Sequence, residues 1–346
     1  MTRNISRRTF LHGASGIAAA GALAGSVGAA TILNAQGLSE PVVPSALNFS
    51  PGIRFRGVNL ANNFTRTTAA DGNDIWASLW GVWDWGGLIA PQLDDIAKIG
   101  NGVRVIGNTL VMAIGSITLS QYLARWQQLL DHAQSLGLFV YPCGGDLGHW
   151  GHYTWAQSTQ TYSEFAHLLK GYPNVIGVDI VNEASQQLDP VGWTYNQPEP
   201  LAELLTELGH QVRSAGLPIT YSRSVVNSRG WTQDYYTDHL GDFLDFHVYY
   251  PPQPADSLQA YASSDVCKTL IIGEFGINNT VSPADRTAYY DAVRVMIAND
   301  PRCVGALAWS AYDVGPTSDM QWGLFDSKRQ LRTDISQPFL TFPVRV

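Results

Sequence analysis

Apolar residues in this chain gather into eight short runs, separated by longer stretches in which they recur every three or four positions. The runs lie at residues 53–60, 103–106, 138–142, 175–182, 218–222, 243–249, 270–274 and 304–309. Runs of four to eight apolar residues, bounded by turn formers, predict strands buried on both faces. The stretches between them predict amphipathic helices. At 120–136, Leu123, Trp126, Leu130, Ala133 and Leu136 share one face, and Gly137 stops the pattern. Segments 161–170, 198–214 and 283–299 end at Gly171, near Gly216 and before Pro301. Eight strands alternating with helices predict an α/β fold, a single-domain (β/α)8 TIM barrel. A doubly wound sheet is the alternative, but no Gly-x-Gly-x-x-Gly turn follows an early strand.

Two of the runs share an anomaly. The fourth ends Val181-Asn182-Glu183, and the seventh ends Gly273-Glu274-Phe275-Gly276. A buried strand has no use for a carboxylate at its end, because burying an unpaired charge costs several kcal/mol or neutralises the group. In a (β/α)8 barrel the active site lies at the C-terminal ends of the strands. The residues predicted there are Asn59, Arg104, Cys143, Asn182, Glu183, Ser222 or Arg223, His247, Tyr249, Glu274 and Trp309. That set is polar where a core would be apolar. A carboxylic acid that donates a proton, opposite a carboxylate that attacks, is the minimum equipment for cleaving a glycosidic bond. Either glutamate alone would read as a helix cap or an ion-pair partner.

Composition narrows the ligand class. Of 346 residues only 14% are charged, and 11 Trp and 15 Tyr are present. Flat aromatic faces suit neutral, ring-shaped ligands. The net charge of −8, with no basic cluster beyond the N-terminus, argues against a nucleic-acid partner. Residues 1–35 read as a leader rather than fold: Ser6-Arg7-Arg8-Thr9-Phe10-Leu11 looks like a twin-arginine export motif, followed by an uncharged Ala/Gly-rich stretch with Ala29, Ala30 and Ala35 as cleavage options. Losing its three arginines takes the net charge from −8 to −11. Residues 36–346 are then the barrel domain, exported to the periplasm or beyond, without a membrane segment and expected to be a monomer. An oxidising compartment permits one disulfide among Cys143, Cys267 and Cys303. Counting back from Glu274 and Trp309 on neighbouring strands puts Cys267 and Cys303 at similar depth, which predicts a Cys267–Cys303 bridge and leaves Cys143 as the free thiol.

Taken together, these motifs resemble clan A of the glycoside hydrolases, and most of all family 5, the cellulase and mannanase family. The resemblance covers residues 53–326. It implies that Glu183, after Asn182, is the acid/base and that Glu274 is the nucleophile. It also implies that Arg104 in Gly-Val-Arg-Val holds the nucleophile, that His247-Val-Tyr249 belongs to the site on strand six, and that Trp309 floors the bound sugar. Asn182 would meet a sugar 2-hydroxyl. The chain departs from the family pattern where Cys143 stands in place of a His beyond strand three, and where Ala184 replaces the Pro after the acid/base. The implied activity is retaining hydrolysis of a β-glycan, β-glucan or β-mannan, with no cofactor. Alternatives are a sugar-transferring enzyme using the same residues and a catalytically silent carbohydrate-binding barrel. An esterase is poorly supported, since no Gly-x-Ser-x-Gly elbow is present.

The loop after strand one carries Trp76, Trp80, Trp83 and Trp85, and that after strand three carries Trp150 and Trp155. With Trp193, Trp231 and Trp322 these are candidate sugar-stacking platforms, about half of them expected to pack beneath their loops instead. Asn59, His149, Trp150 and Trp322 are the further substrate-contact candidates. His149-x-x-His152 could suggest a metal pair, but with no third ligand at useful spacing it reads as a substrate loop, and no metal is expected.

Overall fold

The computed structural model describes residues 47, 54–60, 78–81, 83–107, 110–113, 115–145, 154–183, 198–224, 241–249, 268–315 and 317–344. The leader expected at 1–35 lies outside them, as do His149, Trp150, Cys267, Trp76, Trp193 and Trp231. Eight parallel strands form a nearly closed barrel among the described residues: β1 Phe55–Leu60, β2 Gly102–Ile106, β3 Phe139–Cys143, β4 Val178–Asp179, β5, β6 Leu244–Tyr249, β7 Leu270–Gly276 and β8 Cys303–Ala308. β5 is two dipeptides, Ile219–Thr220 and Arg223–Ser224. The first pairs with β4 and the second with β6, so the ring runs from one half of β5 through β4, β3, β2, β1, β8, β7 and β6 to the other half. The single-domain barrel expected from the alternating pattern is therefore what the chain builds, and no helix among the described residues is long and apolar enough to cross a membrane.

The strands occur where the apolar runs lie, but β4 and β5 are shorter than 175–182 and 218–222 imply. At the break in β5 the Ser222 amide donates to Asp179 Oδ1 at 2.9 Å. A side-chain carboxylate thus takes a bond that a strand carbonyl would otherwise take. Helices α1 Ala90–Ile99, α2 Leu119–Ser135, α3 Trp155–Leu169, α4 Pro198–Ser214, α5 Pro283–Asn299 and α6 Thr333–Leu340 stand between or after the strands. α3 begins six residues ahead of the expected 161 because Thr154 and Gln157 form a reciprocal capping box. Thr118 and Gln121 start α2 in the same way, and Gly137, at φ +72°, supplies the left-handed residue that ends it.

The main core lies between strands and helices, with Trp80, Tyr122, Trp126, Tyr162 and Phe165 among its largest members. A second cluster, Phe55, Tyr141, Ile176, Phe243, Ile271 and Leu307, draws on strands all round the ring. The Cys267–Cys303 disulfide is a correction. Cys303 is a buried free thiol and faces the Gly305 carbonyl. The register sets Leu270 opposite Cys303, and irregularities after Leu270 and between Ile272 and Phe275 defeat counting back along the two strands. Cys143 is a buried free thiol as expected, and burial pushes its pKa far up, which suits an inert group.

Candidate active site

At the C-terminal end of the ring, charge converges on Arg104. It sits mid-strand on β2 between Asn59 of β1 and Tyr141 of β3. Its side chain is wholly buried and fully engaged at both terminal nitrogens. Nη1 donates to Glu274 Oε1 at 2.6 Å and to Asn59 Oδ1 at 2.9 Å; Nη2 donates to Asp179 Oδ2 at 2.6 Å and to Asn182 Oδ1 at 2.9 Å. Burial opposes the guanidinium charge, but the surrounding acids, Glu274, Asp179 and Asp245 among them, hold its pKa above the ordinary value.

Glu274 ends in two charge-assisted contacts. Arg104 holds Oε1, and the Tyr249 hydroxyl donates to Oε2. Burial, then the Glu274 charge, push the Tyr249 pKa far up, so it stays a phenol and a donor. Burial also raises the pKa of Glu274, while His247, Arg104 and the Tyr249 bond pull it back.

Glu183 stands across from it. Its backbone has φ +45°, a region that costs a non-glycine residue about 1–3 kcal/mol and that gathers at functional sites. Its amide donates to Ser222 Oγ at 2.9 Å. His247, wholly buried, puts Nδ1 2.7 Å from Glu183 Oε1 and 3.4 Å from Glu274 Oε2. Burial drops the His247 pKa to about 4, so the imidazole is neutral near pH 7. One oxygen of each glutamate and a His247 nitrogen all lie within 4.8 Å of one another. By composition such a trio could ligate a cation, but Arg104 and Tyr249 already take both Glu274 oxygens, and the Arg104 charge opposes a second positive charge there.

The structure therefore brings Arg104, Asn182, Glu183, His247, Tyr249 and Glu274 together. His247 touches both glutamates. Asn59 is corrected from substrate contact to support. It is wholly buried, its Oδ1 accepts from Arg104, and its Nδ2 donates to Gly273 O at 2.9 Å. Trp309, only 7% exposed, packs with Ile106, Cys143 and Val314, near Tyr249 and Trp322. Trp322 meets Tyr249 edge to face, with ring centroids 5.5 Å apart. Trp80 is no sugar platform: it is wholly buried, stacks on Trp126 at 4.7 Å, and its Nε1 donates to Ile106 O. Trp155 stays 44% exposed.

Sequence reasoning missed Asp179 and Asp245. Each is a lone acid inside an apolar run, which is the signal that exposed the two glutamates, but at mid-run rather than at the end.

No family model and no curated protein matches this chain. Solved structures do. A variant of a GH5_18 from Streptomyces cattleya, in complex with Manβ1-4GlcNAc, superposes with TM-score 0.63 at 17% identity, covering 83% of this chain and 79% of that one. A GH5_18 from Bifidobacterium longum subsp. infantis gives TM-score 0.60 at 17% identity, over 84% and 78%. An exo-β-1,4-mannosidase from an Opitutaceae bacterium, strain TAV5, gives TM-score 0.63 at 17% identity, over 88% of this chain and 61% of that one. The chain thus shares the (β/α)8 barrel fold of these enzymes.

Proposed function

We propose that this protein is a retaining β-glycoside hydrolase, with Glu274 as nucleophile and Glu183 as acid/base. The observation that carries the reading is the approach of the two glutamates, an oxygen of one lying within 4.8 Å of an oxygen of the other. Retaining enzymes keep their carboxyl groups about 5–5.5 Å apart, whereas inverting enzymes need about 6.5–9.5 Å to admit a water. Glu274, ionised and aimed by Arg104 and Tyr249, attacks the anomeric carbon. Glu183 gives its proton to the departing oxygen, so the glycosidic bond breaks as the glycosyl-enzyme ester forms. Glu183, now a carboxylate, takes a proton from water, and that water releases the sugar and frees Glu274. Neutral His247 bridges the two carboxyl groups without adding a fixed charge between them.

A silent sugar-binding barrel has no need of a buried arginine and a tyrosine aimed at one carboxylate, so the enzyme reading is preferred. A β-1,4-mannoside is the favoured substrate, on the strength of the names of the structural neighbours; a β-glucoside is second. The leader motif supports export by the twin-arginine route to the periplasm or beyond. The test is hydrolysis of aryl β-mannosides, aryl β-glucosides and Manβ1-4GlcNAc by the wild type, Glu183→Gln and Glu274→Gln. Loss of at least about 10³-fold in both variants is expected, since removal of a nucleophile or acid/base forfeits an essential step. Wild-type rates in either variant would refute the assignment.

A further inference from the structure

Glu274 follows directly on a break in strand pairing. β6 and β7 stay in step from Leu244 opposite Leu270 to Phe246 opposite Ile272, and then His247 pairs with Glu274. Gly273 is therefore an extra residue on β7, a bulge of the kind that re-aims the side chain beside it. The N–H of Gly273 donates to Asp245 Oδ1 at 2.7 Å, and its carbonyl accepts from Asn59 Nδ2 at 2.9 Å. The second oxygen of Asp245 accepts from the Tyr141 hydroxyl at 2.6 Å, and the Tyr141 ring lies 5.8 Å from the Arg104 guanidinium. A Cβ at position 273 would overlap both Asp245 carboxyl oxygens, so the bulge and the acid fit only with glycine there.

We propose that Asp245 is a positioning residue, which fixes the Gly273 bulge and so aims Glu274 at Arg104 and Tyr249. Asp245 is 1% exposed and has no salt bridge of its own among the described residues. A carboxyl buried for one amide and one phenol is a poor device for stability, since an apolar side chain of the same volume usually serves a core as well or better. Its two hydrogen bonds among the described residues both lead to the nucleophile: through Gly273 by the chain, and through Tyr141 by the ring beside Arg104.

The inference rests on the reading of Glu274 as nucleophile, and the experiment separates the two. Wild type, Glu274→Gln, Asp245→Asn, Asp245→Ala and Asp245→Leu are compared on aryl β-glycosides of graded leaving groups, with kcat, KM and the melting transition measured for each. Asp245→Asn keeps an acceptor for the Gly273 amide and is expected within about 5-fold of wild-type kcat. Asp245→Ala is expected to lose about 100-fold in kcat with KM nearly unchanged, the size of effect a misplacement near 1 Å produces. Its rate should also become steeply dependent on the leaving group, as attack by Glu274 becomes limiting. Asp245→Leu, which keeps the branch at Cγ but has no acceptor, should repeat that loss even where Asp245→Ala folds poorly. Folded Ala or Leu variants with wild-type kcat, while Glu274→Gln is inactive, would overturn the role of Asp245 alone. Equal rates in wild type and Glu274→Gln would overturn the nucleophile assignment beneath it.

Discussion

Arg104 carries positive charge into a dry site where it meets two carboxylates at 2.6 Å, and removing it would strand both. Breaking a buried pair from one side costs about 3–5 kcal/mol. Arg104→Met is expected to lose that much stability, read by denaturant unfolding, together with most activity. Tyr249→Phe removes a donor to the charged form of Glu274. Since burial already raises the Glu274 pKa, the acid limb of kcat/KM should move further up in this variant, as a pH profile would register. His247 predicts a stability effect of definite sign. Its folded pKa of about 4 lies below the ordinary 6.5, so the unfolded chain takes up the proton first as pH falls. Stability is full above pH 6.5 and declines as pH falls toward 4, by at most about 3 kcal/mol from this group. Unfolding measured across that window should show a shallower loss in His247→Gln. The glutamates were legible in the sequence because an acid closing an apolar run has no packing role. Asn59 was misread because its strand-end position says nothing about which groups saturate its amide, and Asp179 and Asp245 were hidden by their mid-run positions.

Helices and strands were legible to different degrees. α4 and α5 occupy the segments expected from their apolar spacing, because Pro at their starts and the small or turn-forming residues beyond them bound the pattern cleanly. The start of α3 rests on a Thr-x-x-Gln box that periodicity cannot detect. The broken β5 and the bulged β7 were illegible for a shared reason: in both, a side-chain carboxylate, Asp179 or Asp245, takes a backbone amide into its own hydrogen bonding. Apolar runs predict a strand but carry no record of such substitutions. The aromatic loop after β1 divides by burial, and Trp80 belongs to the core. Trp80→Ala should therefore destabilise by about 3–5 kcal/mol with KM unchanged, whereas a sugar platform would give the reverse pattern in unfolding and kinetic measurements.

At the scale of the molecule, the parallel ring sets β4 and β7 so that Glu183, just beyond β4, and Glu274, within β7, face one another across His247, and β1, β2 and β6 supply Asn59, Arg104, Tyr249 and Asp245 around them. Five strands far apart in sequence thus contribute to one site of the barrel, which is what the (β/α)8 architecture provides. The fold and the paired acids followed from the periodicity of the chain. The most direct test of the central claim is the configuration of the first product, followed by proton NMR of the anomeric signal during hydrolysis of an aryl β-glycoside. Double displacement through Glu274 predicts that the β-anomer forms first and mutarotates later. Initial release of the α-anomer would mean a single displacement by water, and would contradict the account.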